Sequence, residues 1–169
     1  MSVNRTGPAS TSDLQLVVCV VGDERYGLEV GRVREIIRLP EITALPGSHP
    51  SVSGVINLRG RIIPIMDLRQ RFGLAAAAPT RLSRIVVAEA DELQIGLVVD
   101  AVEEVVHIAA NAIEPPPALT TAAGSDHLIG IAKSGDQLII LIDLDPLIGT
   151  GALALSAGPD AGAGGRAPA

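Results

Sequence analysis

The sequence contains almost no aromatic residues, with one tyrosine, one phenylalanine and no tryptophan among its 169 residues. Hydrophobic residues nevertheless make up 47% of the chain, so a core can form and must be aliphatic. The β-branched share of these residues favours strands. Barrels that bind single-stranded nucleic acid stack bases on aromatic side chains, and a net charge of −6 argues against phosphate binding. We therefore predict no nucleic-acid partner.

The chain also lacks a second cysteine and any long apolar run. Cys19 lies within the apolar run 16–21, where a buried packing thiol is expected and an internal disulfide is impossible. No uninterrupted apolar stretch approaches the roughly 20 residues that span a bilayer, and residues 1–13 do not resemble a signal peptide. We expect a soluble, cytoplasmic protein that is not inserted into a membrane.

Patterns typical of catalysis or metal binding are missing as well. His49, His107 and His127 are scattered and do not have the spacing of metal ligands. The glycine-containing segment 54–60 lacks the Lys-Ser/Thr ending of a phosphate-binding loop, and no nucleophile elbow occurs. Asp143 is expected to cap a helix. The sequence therefore predicts a non-enzyme without metal or cofactor.

The charge is divided unevenly along the chain. Residues 1–84 contain eleven arginines against seven acidic residues, a balance of +4. Residues 85–169 contain one lysine and one arginine against twelve acidic residues, a balance of −10. The two halves could attract each other or face different partners, or they could simply be two solvated surfaces.

Short apolar runs separated by turn residues predict an all-β domain over residues 14–148. Residues 1–13 are predicted to be a disordered lead, and residues 149–169 a flexible tail rich in Ala, Gly and Pro. Residues 67–72 are predicted to form a short helix that ends at Gly73.

Internal repetition is the most informative feature of the domain. Residues 27–36 align without a gap to 96–105, and residues 54–68 align to 130–144. A five-stranded unit of this size avoids exposed edges best by closing into a barrel. We therefore predict two barrels packed side by side. The first spans about 14–80 and the second about 81–148, with possible strand exchange between them and a groove where they meet.

Residues 59–61 are predicted to form a tight hairpin turn in which Gly60 supplies a positive φ, and the turn carries Arg59 and Arg61. Guanidinium groups at a turn suit bidentate contact with a carboxylate, in this chain or on a partner, although a solvated turn arginine is equally plausible. The equivalent turn, residues 134–137, contains no arginine. Glu35 is a candidate partner carboxylate, but its repeat counterpart Glu104 leaves a structural role equally open.

Several segments of this chain together resemble the CheW-like family of bacterial chemotaxis coupling proteins. The resemblance lies in an ordered set of segments within residues 14–148: 22–28, 33–37, 54–69, 96–100, 113–117 and 128–131.

The resemblance implies two five-stranded, SH3-like barrels that act as an adaptor. Such a protein couples chemoreceptor cytoplasmic tips to the regulatory domain of the histidine kinase CheA, and it is a monomer alone and an array member in complex. Four positions match family contact positions, and the turn completes the candidate partner-binding set: Val33, Glu35, Gly54, Asn57, Leu58, Arg59, Gly60 and Arg61. The alternative is a small-ligand-sensing module that uses the groove between the barrels.

Overall fold

The structure, a computed structural model, describes residues 13–47, 52–90, 92–115 and 128–148. These residues form ten strands, two short 3-10 helices, a one-turn α-helix and a further short helix at residues 144–148. The strands are β1 (Asp13–Val21), β2 (Glu24–Glu29), β3 (Val33–Arg38), β4 (Val52–Leu58), β5 (Arg61–Asp67), β6 (Arg84–Ala90), β7 (Leu93–Val99), β8 (Ala101–Ala109), β9 (Leu128–Ser134) and β10 (Gln137–Ile142). The one-turn helix is α1 (Leu68–Arg71), and the 3-10 helices are Val30–Arg32 and Ala110–Ala112.

The strands form two five-stranded sheets, which confirms the predicted all-β architecture of paired SH3-like barrels. The first sheet has the order β9-β10-β2-β1-β8 and the second has the order β4-β5-β7-β6-β3. In each sheet one pair of neighbours is parallel, β10 with β2 and β5 with β7, and the other pairs are antiparallel. The two sheets therefore share one topology.

The strand register follows the repeat seen in the sequence. Leu141 pairs with Gly27 in the first sheet, and Ile65 pairs with Gly96 in the second. These are equivalent positions of the repeat, because Gly27 aligns with Gly96 and Ile65 aligns with Leu141. The internal duplication is thus visible in the pairing of individual residues.

Each sheet combines strands from both halves of the chain. The second sheet takes β3, β4 and β5 from the first repeat and the hairpin β6–β7 from the second, whereas the first sheet takes the hairpin β1–β2 and then β8, β9 and β10. A simple division near residue 80 therefore does not coincide with the division into sheets. The strands at 84–99 pair with those at 33–67, which is an exchange of hairpins between the repeats.

Three groups of aliphatic side chains form the core. One lies inside each sheet's barrel, and the third fills the space between the barrels, where Val17 and Cys19 meet Val86 and Ala88. Successive side chains of β1 and β6 point alternately into these groups, so both strands are buried on both faces. Burial raises the pKa of the Cys19 thiol to about 12, as expected for a packing cysteine.

Two further contacts join the barrels. Tyr26 of β2 stacks on Phe72, which follows α1, with 4.6 Å between the ring centroids. The two aromatic residues of this chain are thus both used at the joint. Asp100, at the crossover from β7 to β8, accepts hydrogen bonds from the Arg69 guanidinium and from the backbone N–H of Gly22.

The predicted helix and the predicted cap at Asp143 are found, while the termini lie mostly outside the described residues. Asp67 caps α1 by accepting a hydrogen bond from the N–H of Arg69 at 3.0 Å. Asp143 accepts one from the N–H of Asp145 at the start of the helical residues 144–148. Asp13, assigned to the disordered lead by prediction, is the first residue of β1. No helix among the described residues is long and apolar enough to span a membrane.

Candidate partner-binding surface

The predicted hairpin turn connects β4 to β5 through two residues. Leu58 pairs with Arg61 across the turn. Both central residues have positive φ, 52° at Arg59 and 86° at Gly60, as in a type I′ turn. The side chain of Asn57 accepts a hydrogen bond from the N–H of Gly60 at 2.8 Å. The positive φ of Gly60 was predicted, but that of Arg59 was not, because few residues other than glycine adopt this conformation.

Arg59 forms a bidentate ion pair with Glu35. Its two terminal nitrogens lie 2.7 and 2.8 Å from the two carboxylate oxygens. Glu35 belongs to β3 and Arg59 follows β4, and these strands are the opposite edges of the second sheet. The ion pair therefore connects the two edges of this sheet. A backbone bridge between Thr43 and Val55 joins the segment that follows β3 to β4.

The ion pair also changes the pKa of both side chains. The hydrogen bond from Arg59 lowers the pKa of Glu35, and that hydrogen bond in turn raises the pKa of Arg59. The side chain of Arg59 is nevertheless 70% exposed, whereas that of Glu35 is 29% exposed. The carboxylate thus orients a guanidinium group that a partner can still reach.

A second ion pair lies beside the first. Arg34 donates to Glu89 at 2.6 Å, and Arg34 directly precedes Glu35. Hydrogen bonds from Gln94 and Arg34 lower the pKa of Glu89, and the positive charge of Arg61 contributes to the same shift. Arg61 therefore lies in the electrostatic field of this pair, which extends the charged surface beyond the turn itself.

The other candidate residues have structural surroundings of their own. Val33 packs partly buried against the core between the barrels, and Leu58 packs against the core of the second sheet. Gly54 lies at a bulge of β4, where an added Cβ would collide with the carbonyl oxygen of Thr43. The fold alone therefore requires glycine at this position, whether or not a partner contacts it.

Two exposed apolar residues near the ion pair were missed from the sequence. Ile36 follows Glu35 and is 40% exposed, and Ile62 follows Arg61 and is 58% exposed. Both are outward positions on strands that carry candidate site residues. Along β3 the available signal was alternation with inward positions, whereas β5 has no such alternation. Exposed apolar side chains beside a paired arginine form the mixed surface that protein interfaces favour.

The described residues of this surface offer charged and apolar contacts. Among the described residues, no three His, Cys, Asp or Glu side chains are close enough together to hold a metal ion. A cleft of about 260 Å³ contains Asp67, Arg69 and Asp100, but these groups already bond to one another or to nearby backbone. The small-ligand alternative thus finds no support at this cleft.

Comparisons with known proteins agree with this architecture. The family model described as a CheW-like domain matches residues 15–151. The chain is 35% identical over 135 residues to a probable chemotaxis protein CheW of Rhizobium etli, covering 80% of this chain and 87% of that protein. It is 29% identical over 141 residues to chemotaxis protein CheW of Klebsiella aerogenes, covering 83% and 85%. The crystal structure of the scaffolding protein TtCheW from Thermoanaerobacter tengcongensis matches with a TM-score of 0.70 and 42% identity, over 76% of this chain and 88% of that chain.

Proposed function

The chain belongs to the CheW-like family of chemotaxis adaptors, and we propose that it joins chemoreceptor cytoplasmic tips to the regulatory domain of the histidine kinase CheA. It acts in the cytoplasm, is a monomer when isolated and becomes part of an array in the complex. It performs no chemistry of its own. Its effect on the kinase arises from different affinities for the different states of the assembly.

The observation that carries this proposal is the conformation of Arg59. A non-glycine residue in the left-handed region is disfavoured, yet Arg59 is held there with its guanidinium group exposed and oriented by Glu35. Such conformations persist mainly at functional positions. The remaining candidates, Val33, Gly54 and Arg61 among them, lie on the same sheet as Arg59 or border its turn.

The proposal is tested by reversing the charge of Arg59. The Arg59→Glu variant is expected to fold normally, because the turn is exposed, and to lose about tenfold or more in affinity for the ternary assembly. Co-sedimentation of the chain with receptor cytoplasmic fragments and CheA measures the assembly, and kinase activity in the pellet measures its output.

Arg25 provides a matched control. It forms an exposed bidentate ion pair with Glu103, at 2.9 and 3.1 Å, on the first sheet. Arg25→Glu makes the same change of charge in the same kind of ion pair outside the candidate set. Normal assembly by Arg59→Glu, or equal losses in both variants, would contradict a specific contact at Arg59. Binding each partner separately then shows which of them Arg59 faces.

A further inference from the structure

Two clefts of nearly equal volume are lined by arginines, and they differ in how those arginines are neutralised. The first, here named the basic cleft, has a volume of about 420 Å³ and contains Arg38, Arg81 and Arg84 together with Glu41. It lies between the segment that follows β3 and the segment that precedes β6. The second cleft, of about 430 Å³, contains Arg32 and Arg34.

In the second cleft each arginine has a carboxylate partner. Arg32 lies 2.8 Å from Asp145, and Arg34 lies 2.6 Å from Glu89. Among the described residues, no carboxylate lies within ion-pair distance of the three arginines of the basic cleft. Its one acidic residue, Glu41, leaves an excess of positive charge.

The backbone places two of these charges directly opposite each other. Arg38 of β3 pairs in register with Arg84 of β6. Like charges at directly opposite positions of antiparallel strands destabilise the pairing. A bound anion would reduce this repulsion.

The wall of the basic cleft is well ordered by local hydrogen bonds. Arg84 donates to the carbonyl oxygens of Arg81 and Ser83, both at 2.8 Å. The hydroxyl of Ser83 accepts from the N–H of Thr80, and the N–H of Ser83 donates to the carbonyl oxygen of Thr80. The turn at residues 80–83 therefore holds Arg81 beside the strand pair in advance of binding, which reduces the entropic cost of binding.

We propose that the basic cleft binds an acidic peptide segment of a partner protein, with carboxylates of that segment on Arg38 and Arg81. Guanidinium groups bind carboxylates in a bidentate manner. Apolar surface from Leu39, Pro40 and Pro79 also lines the cleft, and it can contact the aliphatic part of a peptide but contributes nothing to a free inorganic anion. The cleft uses neither Glu35 nor Arg59, so it is a binding site additional to the arginine turn.

A titration with the full chain tests this site. The probe is a short fluorescein-labelled peptide in which glutamate alternates with leucine, followed by fluorescence anisotropy at about 0.1 M salt, where long-range charge effects are screened. The comparison peptide has glutamine in place of glutamate, and free pyrophosphate serves as a competitor. Arg38→Gln/Arg81→Gln removes the two arginines that lack a backbone role, and Arg32→Gln/Arg34→Gln removes two charges from the second cleft.

Saturable binding of the glutamate peptide is expected, with a loss of about tenfold or more in Arg38→Gln/Arg81→Gln and little loss in Arg32→Gln/Arg34→Gln. Equal losses in the two double variants would show a general charge effect and overturn the proposal. It is also overturned if the chain does not bind the glutamate peptide. Tighter binding of pyrophosphate than of the peptide would instead identify a small-anion site. Urea midpoints of all variants establish that each one is folded.

Discussion

The hairpin turn between β4 and β5 and the one between β9 and β10 hold the same place in the two sheets, yet they are built differently. Arg59 has a φ of 52°, and the repeat places Gly135, with a φ of 61°, at the equivalent position. Glycine adopts this conformation without steric cost, whereas arginine does not. Glycine is enough to reverse the chain at this position of the turn. Arg59 therefore serves something other than chain reversal.

Exposed apolar residues on the strands extend the comparison of the two sheets. Ile36 and Val105 are equivalent and exposed, as are Ile62 and Leu138. Both sheets thus keep apolar side chains on the surface at the same places. The charges around them have diverged, with arginines in the first half of the chain and acidic residues in the second. A duplicated fold has kept its framework and has acquired two chemically distinct surfaces.

The largest expected difference between the two sheets lies at their bulge glycines. In Gly54→Ala the new Cβ would collide with the carbonyl oxygen of Thr43, at a φ of 156° that is unfavourable for alanine. In Gly130→Ala it would meet the carbonyl oxygen of Glu114 at 2.5 Å, without a positive φ. We expect losses of about 3 kcal/mol or more at Gly54 and about 1–2 kcal/mol at Gly130, measured by urea unfolding. Equal losses would mean that the two bulges are energetically alike.

The next largest effect on stability is expected at the crossovers between the sheets. Asp100 connects β7 to β8, and the repeat places Gly31, which has no side chain to bond, at the other crossover. Asp100→Asn is expected to cost about 1–2 kcal/mol, a value reduced by the partial exposure of the carboxylate. Gly31→Ala, which meets open space, is the matched control and should change stability little. A similar loss in both variants would show that the Asp100 contacts do not hold the joint.

The carboxylate of Asp100 should also make the stability of the chain depend on pH. Burial raises the pKa of Asp100, but the hydrogen bonds from Arg69 and Gly22 outweigh burial and lower it overall from its ordinary value of 3.8. Its contribution to stability is therefore complete above that pH and is lost as the pH falls below it. Thermal unfolding of Asp100→Asn should depend less on pH below about 4 than that of the parent chain. An unchanged acid profile would contradict this assignment.

A smaller effect is expected in the core between the barrels. Cys19 and Ala88 are equivalent in the repeat, and both are fully buried. Cys19→Ala makes the two positions identical and should cost about 1 kcal/mol, because it removes one buried sulfur atom.

In the parent chain, a thiol reagent at pH 8 should modify Cys19 only after unfolding, since its pKa is raised to about 12. Rapid labelling of the folded chain would show that the core opens readily.

The smallest effect on stability is expected at the hairpin turn between β4 and β5. Arg59→Gly removes an ion pair but places glycine in a conformation that glycine prefers, so the two changes oppose each other. We expect a nearly unchanged urea midpoint together with the same loss of receptor–kinase assembly as in Arg59→Glu. A large loss of stability would instead assign Arg59 a structural role.

The repeat made much of the fold predictable from the sequence. Paired glycines such as Gly54 and Gly130 are required by close approach of backbone, so they remain visible in both copies. The prediction of strands, of the turn at Gly60 and of the cap at Asp143 rested on local conformation and was confirmed. A contact between Glu35 and Arg59 was proposed as one alternative, and the structure shows this contact.

Other features depend on long-range pairing and could not be predicted in the same way. The sheet that each strand joins is decided by pairs such as Leu141 with Gly27, which are far apart in sequence. An apolar run has the same pattern whichever sheet it enters, so exchange could be allowed for but not established. The left-handed conformation of Arg59 was missed because it opposes the local preference of arginine. The use of all eight candidate residues in partner binding remains a prediction.

The exchange of hairpins also sets the order in which the chain can fold during synthesis. The second sheet needs only residues 33–99, whereas the first needs residues 13–29 together with 101–142. The β1–β2 hairpin is therefore translated first and yet must wait for β8 and β10 before both of its sides are paired. Until the ribosome has released those strands, the apolar residues of β1 stay open to water or to a chaperone. Non-local pairing of this kind slows folding.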